Sequence, residues 1–142
     1  MKTVKDIMTR DVSVCRTEDT IRDAAMIMKE KNVGAVPVCD PDGHLMGMVT
    51  DRDLVLRGYA AQQPDSAKIQ QVMSDRMYQC TPESTLQEAS QIMAEHQIRR
   101  LPVVENGKLA GILSLGDLSV EEMSDQAAGQ ALQEISERPE LH

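Results

Sequence analysis

Apolar and polar positions run along this chain in one order and then begin that order again. A short amphipathic lead, Val4 to Met8, comes first, followed by a brief extended segment, Val12–Cys15. Ile21, Ala24, Ala25 and Met28 then fall at helical spacing on one face. Thr17 is placed to cap that helix, and acidic residues crowd its first turn, where they complement the helix dipole. Two short apolar runs follow, Ala35–Cys39 and Leu45–Val49, around Asp40-Pro41-Asp42-Gly43. Asp-Gly between apolar runs predicts a hairpin, because Gly takes positive φ at little cost. Pro37 would remove a ladder hydrogen bond, which predicts an edge or strand-start position for it. A second helix is expected after Thr50.

The same order returns with Ile69–Met73, Met77–Cys80, a cap at Ser84, and a helix burying Leu86, Ala89 and Met93. A second hairpin pairs Leu101–Val104 with Leu109–Leu113 around Glu105-Asn106-Gly107-Lys108, and a helix follows Ser114. Residues 4–40 shifted by 65 positions give identities at Met8/Met73, Cys15/Cys80, Glu18/Glu83, Thr20/Thr85, Ala24/Ala89, Ile27/Ile92, Met28/Met93, Glu30/Glu95, Pro37/Pro102 and Val38/Val103. After one loop residue is dropped, Gly43, Gly47, Asp53 and Leu54 match Gly107, Gly111, Asp117 and Leu118. A period this long is a duplicated supersecondary unit. The boundaries read as repeat one at 1–60, a linker at 61–68, repeat two at 69–120 and an acidic tail at 121–142. In the tail Val120, Met123, Ala127, Ala131 and Ile135 are loosely helical in spacing. Two similar units usually pack about a pseudo-two-fold axis, so a site at their seam is expected twice.

Composition narrows the function. With two Tyr and no Phe or Trp, the core must come from Val, Ile, Leu, Ala and ten Met. The aromatic platforms of single-stranded nucleic-acid binders are missing. A formal charge of −8 disfavours a general DNA or RNA partner, yet leaves room for one small anion held by local positive charge. Three Cys, an odd number with no signal-like start, suggest reduced thiols in a cytoplasmic protein. Cys15 and Cys80 are repeat mates and read as small apolar strand residues. No apolar run approaches the roughly 18 residues of a membrane span.

Two constellations could carry chemistry. In Gly47-Met48-Val49-Thr50-Asp51-Arg52-Asp53 and Gly111-Ile112-Leu113-Ser114-Leu115-Gly116-Asp117, a strand ends at a hydroxyl and a carboxylate follows three positions later. One reading is a helix cap. The other uses the same geometry for a ligand: free N–H groups and a hydroxyl for a phosphate, and a carboxylate for the two hydroxyls of a ribose. The second constellation is Ile98-Arg99-Arg100, which replaces Val33-Gly34-Ala35 of repeat one. It is either a pair of solvated side chains or a phosphate clamp, since Arg donates in a planar fork to oxyanions. His44, His96 and His142 show no metal-ligand spacing with Cys or acids. There is no glycine-rich phosphate loop, nucleophile elbow or activated acid, so an enzyme is disfavoured.

The ordered set Asp6-Ile7-Met8-Thr9, Val36-Pro37-Val38, Leu101-Pro102-Val103-Val104 and the two Gly-x-x-Thr/Ser-x-x-Asp ends resembles the tandem cystathionine β-synthase (CBS) domain, or Bateman module. The likeness covers residues 4 to about 120. It implies an α+β fold of two β-α-β-β-α units packed sheet to sheet, with two clefts that in many members hold adenosine compounds. It also implies a disc-like homodimer, an unidentified regulated protein, no required cofactor and no catalytic residues. Carried over from members that hold AMP, Thr50 and Asp53 would work with Thr81, Ile98, Arg99 and Arg100, Asp53 holding the ribose and the Arg pair clamping phosphate. Ser114 and Asp117 would work with Arg16, Val33, Gly34 and Ala35, with Arg16 standing in for the missing pair. AMP, ADP or ATP is the expected ligand, with S-adenosylmethionine and NAD as further candidates. The competing expectation is a constitutive dimerisation or scaffold module with vestigial clefts.

Overall fold

The computed structural model describes residues 2–75 and 77–121. The expected tail helix therefore lies outside the described residues beyond Glu121. The elements are α1 (Val4–Ile7), β1 (Cys15–Arg16), α2 (Ile21–Lys31), β2 (Ala35–Cys39), β3 (Leu45–Thr50), α3 (Asp51–Asp53), α4 (Leu86–His96), β4 (Arg100–Glu105), β5 (Lys108–Ser114) and α5 (Leu115–Glu121). Helix α3 runs directly into a π-helix, Leu54–Tyr59, and a 3₁₀ turn spans Ile69–Gln71. Strands β1-β2-β3 form one sheet, with β1 parallel to β2 and β2 antiparallel to β3; β4 and β5 form an antiparallel pair.

The described residues divide into two compact units, one within 13–77 and one of residues 2–12 with 78–121. These are called below the 13–77 unit and the 78–121 unit, the second including the N-terminal lead. Contacts thus group the residues differently from the sequence repeats, and the leads account for the difference. The first lead belongs with the second repeat. Thr3 bridges Thr85, the Val4 N–H donates to the Ser84 carbonyl (2.9 Å), and Thr9 and Ile112 exchange both backbone bonds (2.9 Å each). The second lead belongs with the first repeat: Lys68 bridges Thr20, and Ser74 and Met48 exchange both backbone bonds (2.9 Å each).

Each lead completes the core it joins. Val4 and Met8 are buried with Leu86, Ala89, Met93, Leu101, Val103, Leu113 and Leu118. Ile69 and Val72, both 0% exposed, are buried with Cys15, Ala24, Met28, Val36, Val38 and Val49. At about 1.5–3 kcal/mol for each fully buried aliphatic side chain, a lead contributes on the order of the whole net stability of a small domain. The approach also dictates a glycine. A Cβ on Gly47 would stand 2.6 Å from the Ser74 carbonyl oxygen, and one on Gly111 2.6 Å from that of Thr9, so any side chain would push the lead away.

Several local expectations change. The caps of α2 and α4 are Thr20 and Thr85, not Thr17 and Ser84. Each accepts the backbone N–H three residues on, and Asp23 or Glu88 reaches back to the cap's own N–H, closing a capping box. Ala25 is exposed, and Ile27 packs on the core in its place. Pro37 is the third residue of the central strand, not at an edge. It is tolerated because Met48, its partner on β3, spends both backbone groups on Ser74 and makes no ladder bond to Pro37; pairing with β1 begins only at Val38.

Candidate functional site

The hydroxyl–x–x–carboxylate ends form in both units with one geometry. The Thr50 N–H donates to Asp53 Oδ2 (2.9 Å) and the Asp53 N–H to Thr50 Oγ1 (3.0 Å). The Ser114 N–H donates to Asp117 Oδ2 (3.1 Å) and the Asp117 N–H to Ser114 Oγ (3.0 Å). Both are capping boxes, so the cap reading holds in the structure. It does not exhaust the groups. Each hydroxyl keeps its O–H to donate, and Asp117 keeps Oδ1, whereas Asp53 Oδ1 faces Arg57. All four residues are half-buried at the end of a strand.

The antiparallel register brings the strand entrance to the same place within each unit. Ala35 pairs with Thr50, and the Asp51 N–H donates to the Gly34 carbonyl (2.9 Å). Arg100 pairs with Ser114, and the Leu115 N–H donates to the Arg99 carbonyl (2.8 Å). Each unit therefore has a corner made of its own entrance and its own cap. Gly34, Ala35, Thr50 and Asp53 share one; Arg99, Arg100, Ser114 and Asp117 share the other. Val33 and Ile98 flank the corners and pack half-buried on their cores.

The charges at the two corners are opposite. At the first, Asp51 lies so close to Gly34 that a Cβ there would meet its carboxylate at 3.2 Å. Asp53 Oδ1 lies 3.5 Å from Arg57 Nη2, one turn on. At the second, Leu115 replaces Asp51, and Arg99 and Arg100 replace Gly34 and Ala35. Burial lowers the Arg100 pKa from its ordinary value, and the nearby Asp117 carboxylate opposes that shift. Arg100 Nε is buried with no hydrogen-bond partner, while Arg99 is exposed.

Two expected site residues stand apart from these corners within their own units. Arg16 donates from Nη1 to the Asp40 carbonyl (2.7 Å) and pairs with Cys39, at the opposite end of β2 from Val33, Gly34 and Ala35. Thr81 forms a turn with Ser84, its N–H donating to Ser84 Oγ (3.1 Å), and follows Cys80, which bridges Val103 in mid-strand. Burial pushes the Cys15 and Cys80 thiols up to about 12, which fits packing and not nucleophilicity. One negative from the sequence is corrected. His44 does have acids around it: ligand atoms of Asp40, Asp42 and His44 all lie within 4.8 Å of one another at the hairpin turn. The sequence signal was there in the alternating Asp40-x-Asp42-x-His44. Equally legible was the Asp53/Arg57 spacing that ties up one carboxylate oxygen.

The fold is a tandem of two like units, each with the same corner, and comparison with known proteins places it. The family model for the CBS domain matches residues 4–58 and 69–122, and the chain belongs to that family as a tandem pair. YlbB of Bacillus subtilis (strain 168) is 48% identical over 138 residues, covering 96% of this chain and 93% of its own length. Hypoxic Response Protein I, solved with two coordinated zinc ions, superposes with a TM-score of 0.79 at 35% identity, covering 84% of this chain and 98% of that one. CBSX2, solved in complex with AMP, superposes with a TM-score of 0.75 at 30% identity, covering 92% of this chain and 98% of that one. No helix among the described residues is long and apolar enough to cross a membrane.

Proposed function

We propose that this CBS pair is a non-enzymatic regulatory module that binds an adenosine nucleotide of the AMP, ADP or ATP class in the cytoplasm. S-adenosylmethionine and NAD are the alternative adenosine ligands. The observation that carries the reading is the repeated corner, in which a half-buried carboxylate stands beside a hydroxyl that can still donate, Asp117 with Oδ1 uncommitted and Asp53 with Oδ1 shared with Arg57. Two acceptor lone pairs on one carboxylate suit the cis-diol of a ribose, and the hydroxyl suits the adjoining oxygen. Asp53 and Asp117 are the ribose residues of the proposal, and Thr50 and Ser114 their hydroxyl partners. The aliphatic surroundings suit an adenine held without aromatic stacking. The AMP complex of CBSX2 supports the ligand class. Regulation follows if the ligand favours one of two states of the module, since a ligand shifts an equilibrium only by its differential affinity.

A second reading, a constitutive homodimerisation module, is favoured by a different observation. Val55, Leu56 and Tyr59 are 55%, 48% and 86% exposed on the π-helix, an apolar run that a partner surface would cover. Thermal unfolding with AMP, ADP, ATP, S-adenosylmethionine and NAD separates the two. A ligand at a hundred times its Kd adds about 2.7 kcal/mol, an easily measured shift. The sensor reading predicts a shift with one or two of the compounds that shrinks in Asp53→Ala or Asp117→Ala. No shift with any compound in a stable dimer would leave the dimerisation module standing.

A further inference from the structure

One guanidinium joins two parts of the 13–77 unit. Arg57 sits on the π-helix Leu54–Tyr59. Its Nη2 lies 3.5 Å from Asp53 Oδ1, the carboxylate oxygen that the capping box leaves over. Its Nη1 donates to the Met73 carbonyl at 3.4 Å, at the end of the second lead. Both contacts are longer than the roughly 2.7–2.9 Å of a strong charge-assisted bond, so they are readily given up. The Asp53 side chain is 14% exposed and that of Arg57 53%, so the arginine can leave into water and the carboxylate cannot. The other unit supplies the contrast. The register that aligns Asp53 with Asp117 aligns Arg57 with Glu121. Glu121 also ties a lead, by pairing with Lys2, but as an acid it cannot pair with Asp117. One helix position thus holds the exchanged lead in both units, and in the 13–77 unit it holds the corner carboxylate as well. The backbone differs at the same place, π-helical at Leu54–Tyr59 and α-helical at Leu115–Glu121. A π-turn is uncommon and recurs at functional sites.

We infer that Arg57 is a built-in competitor at the first corner, a latch that the hydroxyls of a ribose must displace from Asp53 Oδ1, and that its release loosens the Met73 end of the second lead. The inference rests on the adenosine reading and adds regulation to it: occupancy of the corner changes how the lead is held. Arg57 is not a ligand contact in this account; it opposes binding. Giving up a half-exposed ion pair weakens affinity by up to about fivefold, which makes the corner self-limiting without blocking it.

The test follows backbone amide NMR signals of the full chain as adenosine is added, native and with Arg57→Gln, Arg57→Lys or, as a control for lost positive charge at an exposed neighbour, Arg52→Gln. Adenosine carries the ribose diol without phosphate, so a lost arginine–phosphate contact cannot mask the effect. In the native chain Met73 and Ser74 should respond together with Thr50 through Asp53. Arg57→Gln should lower the apparent Kd at Thr50 through Asp53 about two- to fivefold and leave Ser114 through Asp117 unchanged. Met73 and Ser74 should then no longer follow. Arg57→Lys, which keeps the charge but not the fork, should fall between, and Arg52→Gln should match the native chain. Unchanged, weaker or absent binding at Thr50 through Asp53 in Arg57→Gln, with Ser114 through Asp117 still responding, overturns the inference and leaves the adenosine reading intact. Binding that appears at Thr50 through Asp53 only in Arg57→Gln sustains both. No response at either corner in any of the chains defeats the adenosine reading, and this inference with it.

Discussion

The 13–77 unit and the 78–121 unit are alike wherever the backbone must be satisfied and unlike where a ligand would bind. Both close a helix with a threonine capping box, both admit the other repeat's lead against a glycine, and both end their hairpin at a hydroxyl–x–x–Asp turn. Those features answer to sterics and hydrogen bonding, which are the same in each copy. The corners differ, and there Gly34-Ala35 and Asp51 stand against Arg99-Arg100 and Leu115. Duplication supplied two scaffolds, and substitution at three positions gave them opposite local charge. A family likeness therefore specifies the scaffold of each site but not its ligand preference.

The sharpest way to break the scaffold half of this comparison is at the glycines. Gly47→Val and Gly111→Val each drive a side chain into a backbone carbonyl that a Cβ alone would meet at 2.6 Å. Each should cost at least about 2–3 kcal/mol in denaturant unfolding, because backbone, unlike a flexible side chain, cannot step aside cheaply. Equal losses confirm that both leads dock alike; a neutral Gly47→Val would show that the second lead does not.

A smaller effect is expected at the caps. Thr20→Ala and Thr85→Ala should each lower stability by about 1 kcal/mol, the usual value of a helix N-cap. The acid response sharpens this further. The Asp23 carboxyl is held below its ordinary 3.8, chiefly by the Thr20 backbone N–H it accepts. A carboxylate with a depressed folded pKa contributes stability above its unfolded value, and that contribution is lost as pH falls through the folded value. The native chain should thus lose this contribution only below about pH 4. In Thr20→Ala, which removes the hydroxyl but keeps the backbone donor, NMR titration should find the Asp23 pKa raised only part of the way.

Most of the scaffold was legible in the sequence because it is written twice. The hairpins around Asp42-Gly43 and Asn106-Gly107 follow from turn chemistry, and the buried faces of α2 and α4 largely from helical spacing. The caps were displaced to Thr20 and Thr85 because several hydroxyl and acidic residues precede each helix, and only tertiary docking of the leads selects among them. The lead exchange was not legible, since Val4 and Val72 look equally able to pack on either repeat. The hydroxyl–x–x–Asp ends and the Arg99-Arg100 pair stood out by residue type and spacing, while Gly34 and Ala35 entered only through the family resemblance. Their grouping within a unit was not legible, because it depends on the register of Ala35 with Thr50 and of Arg100 with Ser114. The π-helix at Leu54–Tyr59 follows the short helix Asp51–Asp53, whereas the matching start at Leu115 continues as α-helix to Glu121.

The account's central claim, two like scaffolds with unlike corners, is tested most directly by following backbone amide NMR signals as AMP is added. The account predicts that Arg99, Arg100 and Ser114 through Asp117 respond first, and that Thr50 through Asp53 respond only at higher concentration. A first response at Thr50 through Asp53, or an equal response at both corners, would contradict it.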